Sequence, residues 1–192
     1  SFGFSQQEYN SNDLVEMDNG LWTVKFSDEP ISGKVFGYFG EVKPYKKVYI
    51  GNLRNGKKEG RWKSYFHSNG KKKYDYNYKD GELDGLQTDW YENGQKIFEI
   101  NYKNGKKDGL YTKWSENGQK IFEGTFKDGQ SNGLSTMWYE NGQKKVEGNY
   151  KDGVEDGLYT HWYENGQKEV EGTMKDGQSN GLYTSWYENG QK

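Results

Sequence analysis

A repeat of 24 residues is the feature that most constrains how this chain can fold. The signature G-L-x-T-x-W-x-E-N-G-Q-K begins at Gly85 and returns at Gly109, Gly133, Gly157 and Gly181. A unit this short cannot bury a core by itself, so neighbouring units must stack against one another. The spacing therefore predicts a repeat array, in which the other residues form caps or degenerate copies of the unit.

The repeat is predicted to consist of β-hairpins. Asn-Gly and Asp-Gly pairs separate segments of about seven residues, a typical strand length, and glycine is too frequent for helices, at 27 of 192 residues. A hydrophobic share of 30% is low for a closed core, and an aromatic share of 17% suits a half-exposed sheet. The predicted fold class is all-β, an elongated single-layer antiparallel sheet of stacked β-hairpin repeats.

The predicted boundaries follow the regularity of the repeat. The last half-repeat would leave a strand edge without a partner, so we hypothesise self-association through that edge or packing against a downstream segment. The predicted segments are a flexible lead at 1–12, an N-terminal hairpin cap at 13–32, a degenerate repeat at 33–59, and regular repeats at 60–192 that divide into 60–84, 85–108, 109–132, 133–156, 157–180 and the half-repeat 181–192.

Side chains that stay the same between repeats indicate a packed face. Leu110, Thr112 and Trp114 are invariant at their positions and share one face by the two-residue period of a strand. The sequence therefore predicts a structural stripe of stacked tryptophan and leucine, with the tryptophans Trp90, Trp114, Trp138, Trp162 and Trp186.

The loop length sets the register of each hairpin. A three-residue loop at 116–118, with its glycine left-handed, would pair Trp114 with Lys120 and Thr112 with Phe122. This register places the apolar residues of both strands on one face and sets Gly124 opposite Leu110. The recurring acids at Glu99, Glu123, Glu147 and Glu171 are interpreted as partners of nearby lysines such as Lys113 or Lys145.

Composition excludes several functional classes. Lysines and acids are interleaved and the net charge is −2, so no basic stripe indicates nucleic acid as a partner. The chain has no cysteine and hence no disulfide or thiol chemistry. No run approaches the 18 apolar residues of a transmembrane segment.

No group of residues indicates catalysis or metal binding. The two histidines, His67 and His161, lie at non-equivalent positions of different repeats. The acidic links, such as Asp152–Gly157, lack the ligand spacing of a calcium loop and are typical of turns. The sequence therefore predicts no enzyme, and no catalytic, cofactor-binding or metal-ligating residue.

A set of tyrosines on the face opposite the tryptophans is the candidate partner-binding face. These tyrosines either only cover a one-layer sheet or form an interface, in which a variable column of residues beside them would give specificity. The candidate residues are Tyr91, Tyr111, Tyr139, Tyr159, Tyr163, Tyr183, Tyr187, Lys113, Met137 and His161.

The repeated W-Y-E-N-G-Q-K and E-G-x-Y/F-K-D-G, preceded by Pro30-Ile31-Ser32-Gly33-Lys34-Val35, resemble the MORN-repeat variant of bacterial YwqK-like antitoxin proteins, over about residues 29–192. The resemblance implies a non-enzymatic protein-binding scaffold, with a toxin as partner. A cell-surface or secreted adhesion protein that binds a surface receptor is the alternative. Together with the missing initiator methionine and the absence of cysteine, the resemblance favours an exported protein over a cytoplasmic one.

Overall fold

The computed structural model describes residues 7–40 and 45–192. The chain divides into two compact units, Ser1–Gly94 and Gln95–Lys192. Each unit is built on a mostly antiparallel sheet of consecutive hairpins, so the predicted all-β class of stacked hairpin repeats is confirmed. Among the described residues there is no α-helix, and hence no helix long and apolar enough to cross a membrane.

The first unit combines a repeat sheet with a small cap. A two-stranded hairpin, β2 with β3, forms the cap, and β1 adds to β4 in parallel at the edge of the sheet. The strands are β1 (Glu8–Asn10), β2 (Leu14–Glu16), β3 (Trp22–Val24), β4 (Gly33–Phe39), β5 (Lys46–Arg54), β6 (Lys57–Tyr65), β7 (Lys72–Lys79), β8 (Glu82–Leu83) and β9 (Gly85–Trp90).

The cap covers one face of the first sheet and forms a compact core with it. Leu14 of the cap packs with Val35, Leu53 and Trp62 of the sheet, and all four side chains are buried. The ammonium of Lys58 lies 5.1–5.3 Å from the ring centroids of Trp22, Trp62 and Tyr78. Burial among these rings lowers the pKa of Lys58.

The start of the chain differs from the sequence prediction. The expected flexible lead at 1–12 includes β1 and the beginning of a 3-10 turn, Ser11–Asp13. Glu8 is held there by Lys47 and Tyr49 of β5, which the sequence alone does not bring close. The rest of the lead, residues 1–6, lies outside the described residues.

The second unit is a single sheet in which each long strand pairs with the next, and two short strands at its C-terminal end both pair with the last long strand. Its main strands are eight or nine residues long, and each hairpin is followed directly by another. The strands are β10 (Lys96–Lys103), β11 (Lys106–Trp114), β12 (Lys120–Lys127), β13 (Gln130–Trp138), β14 (Lys144–Lys151), β15 (Val154–Trp162), β16 (Lys168–Lys175), β17 (Gln178–Ser179) and β18 (Thr184–Ser185).

Two kinds of turn alternate along the repeat. The three-residue loop at 116–118 is present as predicted: the Ser115 amide donates to the Gln119 carbonyl, and Gly118 is left-handed at φ +84°. The other turn has two residues, Asp128 and Gly129, both at positive φ, and it joins β12 to β13. Each repeat is therefore one hairpin of each kind, and the Asn-Gly and Asp-Gly pairs occur because these conformations require them.

The predicted register is correct at the turn and wrong beyond it. Trp114 pairs with Lys120 as expected, but a bulge leaves Ile121 unpaired, so that Phe122 pairs with Lys113 rather than with Thr112. The same bulge recurs beside Trp138 and Trp162. Because a shift of one residue exchanges the faces of a strand, Phe122 and Phe126 lie on the face opposite Trp114.

Candidate protein-binding face

The bulge gathers the apolar side chains of the second unit on one side, which we call the aromatic face. Tyr111 lies at its centre between two strands: its ring centroid is 6.0 Å from Phe98, 5.3 Å from Phe122 and 5.9 Å from Phe126. By the register, this face carries Phe98, Ile100, Tyr102, Tyr111, Lys113, Phe122, Phe126, Met137, Val146, Tyr150, Tyr159, His161, Val170, Met174 and Tyr183.

Glycines make room for the rings on this face. Gly124 pairs with Tyr111 and Gly172 pairs with Tyr159, so the prediction that these glycines lie opposite leucines is wrong. A Cβ placed on Gly148 would be 3.6 Å from Cδ2 of Tyr159, on the strand that follows. A Cβ on Gly124 would lie only 2.9 Å from Cζ of Phe122, so the missing side chain leaves room for a ring there, whereas at Gly148 a Cβ would make an ordinary contact.

The aromatic face has no second layer over it within the described residues of its unit, and its exposure ranges from 1% for Ile100 to clearly exposed side chains further along the sheet. Met137 retains 46% of its accessible surface and Tyr183 retains 61%. Trp62 of the first unit occupies the same repeat position as Tyr183, but it lies under the cap and retains 6% of its accessible surface. An exposed apolar strip of this kind on a protein surface is typical of a contact surface.

Burial raises the pKa of tyrosines on this face. The pKa of Tyr111, Tyr150 and Tyr159 lies above the ordinary value, and nearby carboxylates of Glu155 and Glu169 add to the effect on Tyr159. A tyrosine hydroxyl is neutral near pH 7 even at its ordinary pKa, so these shifts leave its charge unchanged. The Tyr150 hydroxyl donates to Glu155 at 3.2 Å, and the hydroxyls of Tyr111 and Tyr159 add further polar groups to the strip.

The opposite side, which we call the tryptophan face, is a polar network. Lys120 forms an ion pair with Glu123 at 2.6 Å, and its ammonium lies 5.5 Å from the ring centroid of Trp138 in the next repeat. Glu123 also accepts a hydrogen bond from Thr112, at 3.4 Å. Residues three apart on a regular strand face opposite ways, so the bulge at Ile121 is what brings Lys120 and Glu123 together.

The network repeats along the sheet. Lys144 binds Glu147 at 2.5 Å and lies over Trp162, and Thr136 donates to the same carboxylate. The first unit contains a version of it, in which Lys72 binds Asp75 and lies over Trp90. The partners of the recurring acids are thus these lysines, and the assignment to Lys113 or Lys145 is wrong.

The predicted stripe is only half correct. Trp90, Trp114, Trp138, Trp162 and Trp186 do share one register position, but all are half-buried rather than buried. The leucines beside them are exposed, at 51% for Leu110, 50% for Leu134 and 54% for Leu158. The tryptophan face is therefore held by ion pairs and ring contacts, without a closed apolar core.

The candidate tyrosines fall into two groups. Tyr111, Tyr159 and Tyr183 lie on the aromatic face together with Lys113, Met137 and His161, as the sequence predicts. The other group begins the three-residue turns, where each carbonyl accepts a hydrogen bond from the turn glycine; its members are Tyr91, Tyr139, Tyr163 and Tyr187.

The turn tyrosines join successive repeats. The hydroxyl of Tyr139 donates to the carbonyl of Trp162 at 2.9 Å, and that of Tyr163 donates to the carbonyl of Trp186 at 2.8 Å. The turn asparagines do the same, since Asn141 Nδ2 donates to the Glu164 carbonyl at 2.9 Å. These contacts give Tyr139 and Tyr163 a structural role at the sheet margin, away from the aromatic face.

Sequence reasoning missed the phenylalanines and valines of the aromatic face because it missed the bulge. A signal was available: lysine precedes the acid by three residues in Lys96/Glu99, Lys120/Glu123, Lys144/Glu147 and Lys168/Glu171. An ion pair at that spacing within a strand requires a bulge between its members.

The described residues contain no group of three or more histidine, aspartate or glutamate side chains placed to hold a metal ion. His67 stacks on Phe39 in the first unit, and His161 contacts Tyr159 in the second. Each histidine is thus held by an aromatic ring. Neither belongs to a cluster of titratable groups within the described part of the chain.

Both units are built from β-hairpin repeats, and this defines the class of protein. Four segments match the MORN repeat variant, at residues 83–104, 107–128, 131–152 and 155–176. They make up slightly less than half of the chain, and they match the repeat type without indicating a particular activity. A comparison with curated proteins finds no match.

Proposed function

We propose that this chain is a non-enzymatic scaffold that binds one folded protein through the aromatic face of the second unit. The observation that carries the proposal is the open apolar strip around Tyr111, Met137 and Tyr159. In the first unit, the chain covers the equivalent position with its own hairpin. A partner protein would supply the missing layer over the aromatic face of the second unit.

One position on the aromatic face holds a different residue in each repeat, and this variation supports a single folded partner over a periodic ligand. Equivalent positions on the aromatic face hold Lys113, Met137, His161 and Ser185, which differ in charge, size and polarity. A repetitive ligand would meet the same chemistry at each repeat, whereas one folded protein meets a different residue at each contact. The partner that we propose is a toxin, which the scaffold neutralises by covering its surface.

The matched variants for a test lie on one strand. Met137→Glu puts a charge at the centre of the aromatic face, and Leu134→Glu puts the same charge on the tryptophan face at similar exposure. The candidate toxin is the protein encoded beside this chain, and its dissociation constant is measured by calorimetry. We expect Met137→Glu to weaken binding at least 30-fold, about 2 kcal/mol, and Leu134→Glu to weaken it less than threefold.

Equal effects of the two variants would contradict the assignment of the face. Removal of repeats from the C-terminal end distinguishes toxin neutralisation from surface adhesion. A scaffold that binds one folded toxin should lose binding abruptly, whereas a surface-binding adhesin should lose avidity gradually. If the chain does not bind the protein encoded beside it, and its attachment to cells is lost gradually as repeats are removed, the proposed function is adhesion and not neutralisation.

A further inference from the structure

The ladder between β5 and β6 in the first unit stops where that of other repeats continues. Only Asn52, Leu53 and Arg54 of β5 pair with β6, opposite Glu59, Lys58 and Lys57. In the second unit, pairing resumes after the glycine bulge, for example as Gly124 with Ser135 and Glu123 with Thr136. Beyond Asn52, β5 therefore pairs only with β4, and beyond Glu59, β6 pairs only with β7.

Trp62 is the wedge that separates the two strands. It occupies the repeat position at which Ser135 faces Gly124, and its indole lies so close over Gly51 that a Cβ there would overlap the ring. The indole N–H donates to the carbonyl of Asn52 at 3.1 Å, in place of a backbone partner. At the far end, the rings of Phe39 and Tyr65 are in contact, with their centroids 5.3 Å apart.

The result is a cleft with an unpaired strand edge on each side, Lys46–Gly51 on β5 and Gly60–Tyr65 on β6. A cavity of about 280 Å³ lies against Tyr49, Gly51, Arg61 and Lys63, and a second of about 510 Å³ lies towards Lys46 and Tyr65. Unpaired backbone amides and carbonyls in such a cleft are a template for an added strand.

The charged side chains that line the cleft are all cationic. Lys34, Lys46, Lys47, Arg61 and Lys63 surround it. Glu8 neutralises Lys47, and Asp75 neutralises Arg61. Lys46 and Lys63 form no ion pair with any described residue, so the cleft carries excess positive charge within a chain whose net charge is −2.

We propose that this cleft binds an extended acidic segment of a protein partner by strand addition between β5 and β6. The two edges are each six residues long, which fits a segment of about six residues. Its backbone would pair with the open edges, and its acidic side chains would lie beside Lys46 and Lys63. This surface belongs to the first unit and is independent of the aromatic face.

The test uses the full chain and a fluorescent, end-blocked octapeptide of alternating glutamate and valine, followed by anisotropy. The same peptide with alternate N-methylated amides keeps its charges but loses backbone donors, and an alternating lysine–valine peptide reverses the charge. We expect N-methylation and charge reversal each to weaken binding at least tenfold. Equal binding of the N-methylated peptide would overturn strand addition.

Variants locate the site. Lys46→Glu and Lys63→Gln are each expected to weaken binding of the glutamate–valine peptide at least fivefold, whereas Lys127→Glu, at an exposed position of the second unit away from both candidate surfaces, serves as the control and changes binding less than twofold. Amide exchange over 46–51 and 60–65 is expected to slow at least tenfold when the peptide saturates. Unchanged exchange there, or equal effects of Lys46→Glu and Lys127→Glu, would place the peptide elsewhere and reject the proposal.

Discussion

The two units build sheets from the same kind of hairpin, but only the first has a second layer. In the first unit, the cap buries Trp62 to 6% exposure together with Val35 and Leu53. In the second, Tyr111 and Tyr159 occupy the position of Trp62 and are only half-buried. The ring at this repeat position is thus buried where the cap covers it and half-buried in the second unit, where Ile100 is the one apolar side chain in the buried core among the described residues.

Without a second layer, the second unit depends on contacts between neighbouring repeats. Three kinds of contact join one repeat to the next. They are the ladders of Lys, Glu, Thr and Trp on one face, the aromatic contacts on the other face, and the hydrogen bonds between turns. Stability is then distributed along the sheet, as in other repeat proteins. Single substitutions should therefore be more costly in the first unit.

The largest expected effect is at Trp62. Trp62→Ala should lower the free energy of unfolding by about 3–5 kcal/mol, because it empties a buried site. Trp138→Ala removes a half-exposed ring and should cost only about 1–2 kcal/mol. Urea denaturation monitored by circular dichroism gives both values, and equal losses would contradict the distinction between a covered and an open sheet.

A pair of glycines gives the next effect. Gly51→Ala forces a Cβ into the indole of Trp62 and should destabilise by about 1–3 kcal/mol. Gly148→Ala places its Cβ at an ordinary 3.6 Å from Tyr159 and should change stability by less than about 0.5 kcal/mol. The same denaturation experiment compares them; a larger loss from Gly148→Ala would mean that the open face is as tightly packed as the capped one.

The ladder on the tryptophan face predicts a smaller effect. Glu147→Gln removes the ion pair with Lys144 and weakens the hydrogen bond from Thr136, and it should cost about 0.5–1 kcal/mol. Because the pair is partly exposed, the loss should shrink in 1 M salt, a concentration that screens such charges. Glu140→Gln, in an exposed turn, is the control and should be neutral in the same measurement.

The smallest expected effect is on the pH dependence of stability, through Lys58 under the cap. Burial lowers the pKa of Lys58, so its charged form is disfavoured in the folded state, and this cost is present in full below the folded pKa. The cost falls as pH rises through the folded pKa towards 10.5, the ordinary value for lysine. The stability of the native chain relative to Lys58→Met should therefore rise as the pH is raised towards 10.5.

The comparison with Lys58→Met removes the contribution of other groups that titrate in this range. Lys57→Met, at an exposed position on the same strand, should show no such change relative to the native chain. A relative stability that falls with pH would mean that Lys58 is stabilised as a cation by the rings of Trp22, Trp62 and Tyr78.

Much of this architecture follows from the sequence by local rules. The 24-residue period, the strands and both kinds of turn can be predicted, because Asn-Gly and Asp-Gly pairs have few allowed conformations. The three-residue loop also fixes the pair Trp114–Lys120. The predicted grouping of Tyr111, Met137 and His161 on one face depends only on positions before the bulge, and it is correct.

Only the tertiary structure decided which side chains lie opposite one another. The bulge at Ile121 is stabilised by the contact of Lys120 with Glu123, which the spacing of lysine and acid signals, and by the contact of Lys120 with Trp138 of the next repeat, which only the folded array supplies. One unpaired residue then moves Phe122 and Phe126 to the face of Tyr111. The covering of Trp62 by the cap likewise arises from contacts between segments distant in sequence, which a repeat pattern does not encode. The splitting of β5 from β6 depends on how the Trp62 indole packs over Gly51 of the neighbouring strand.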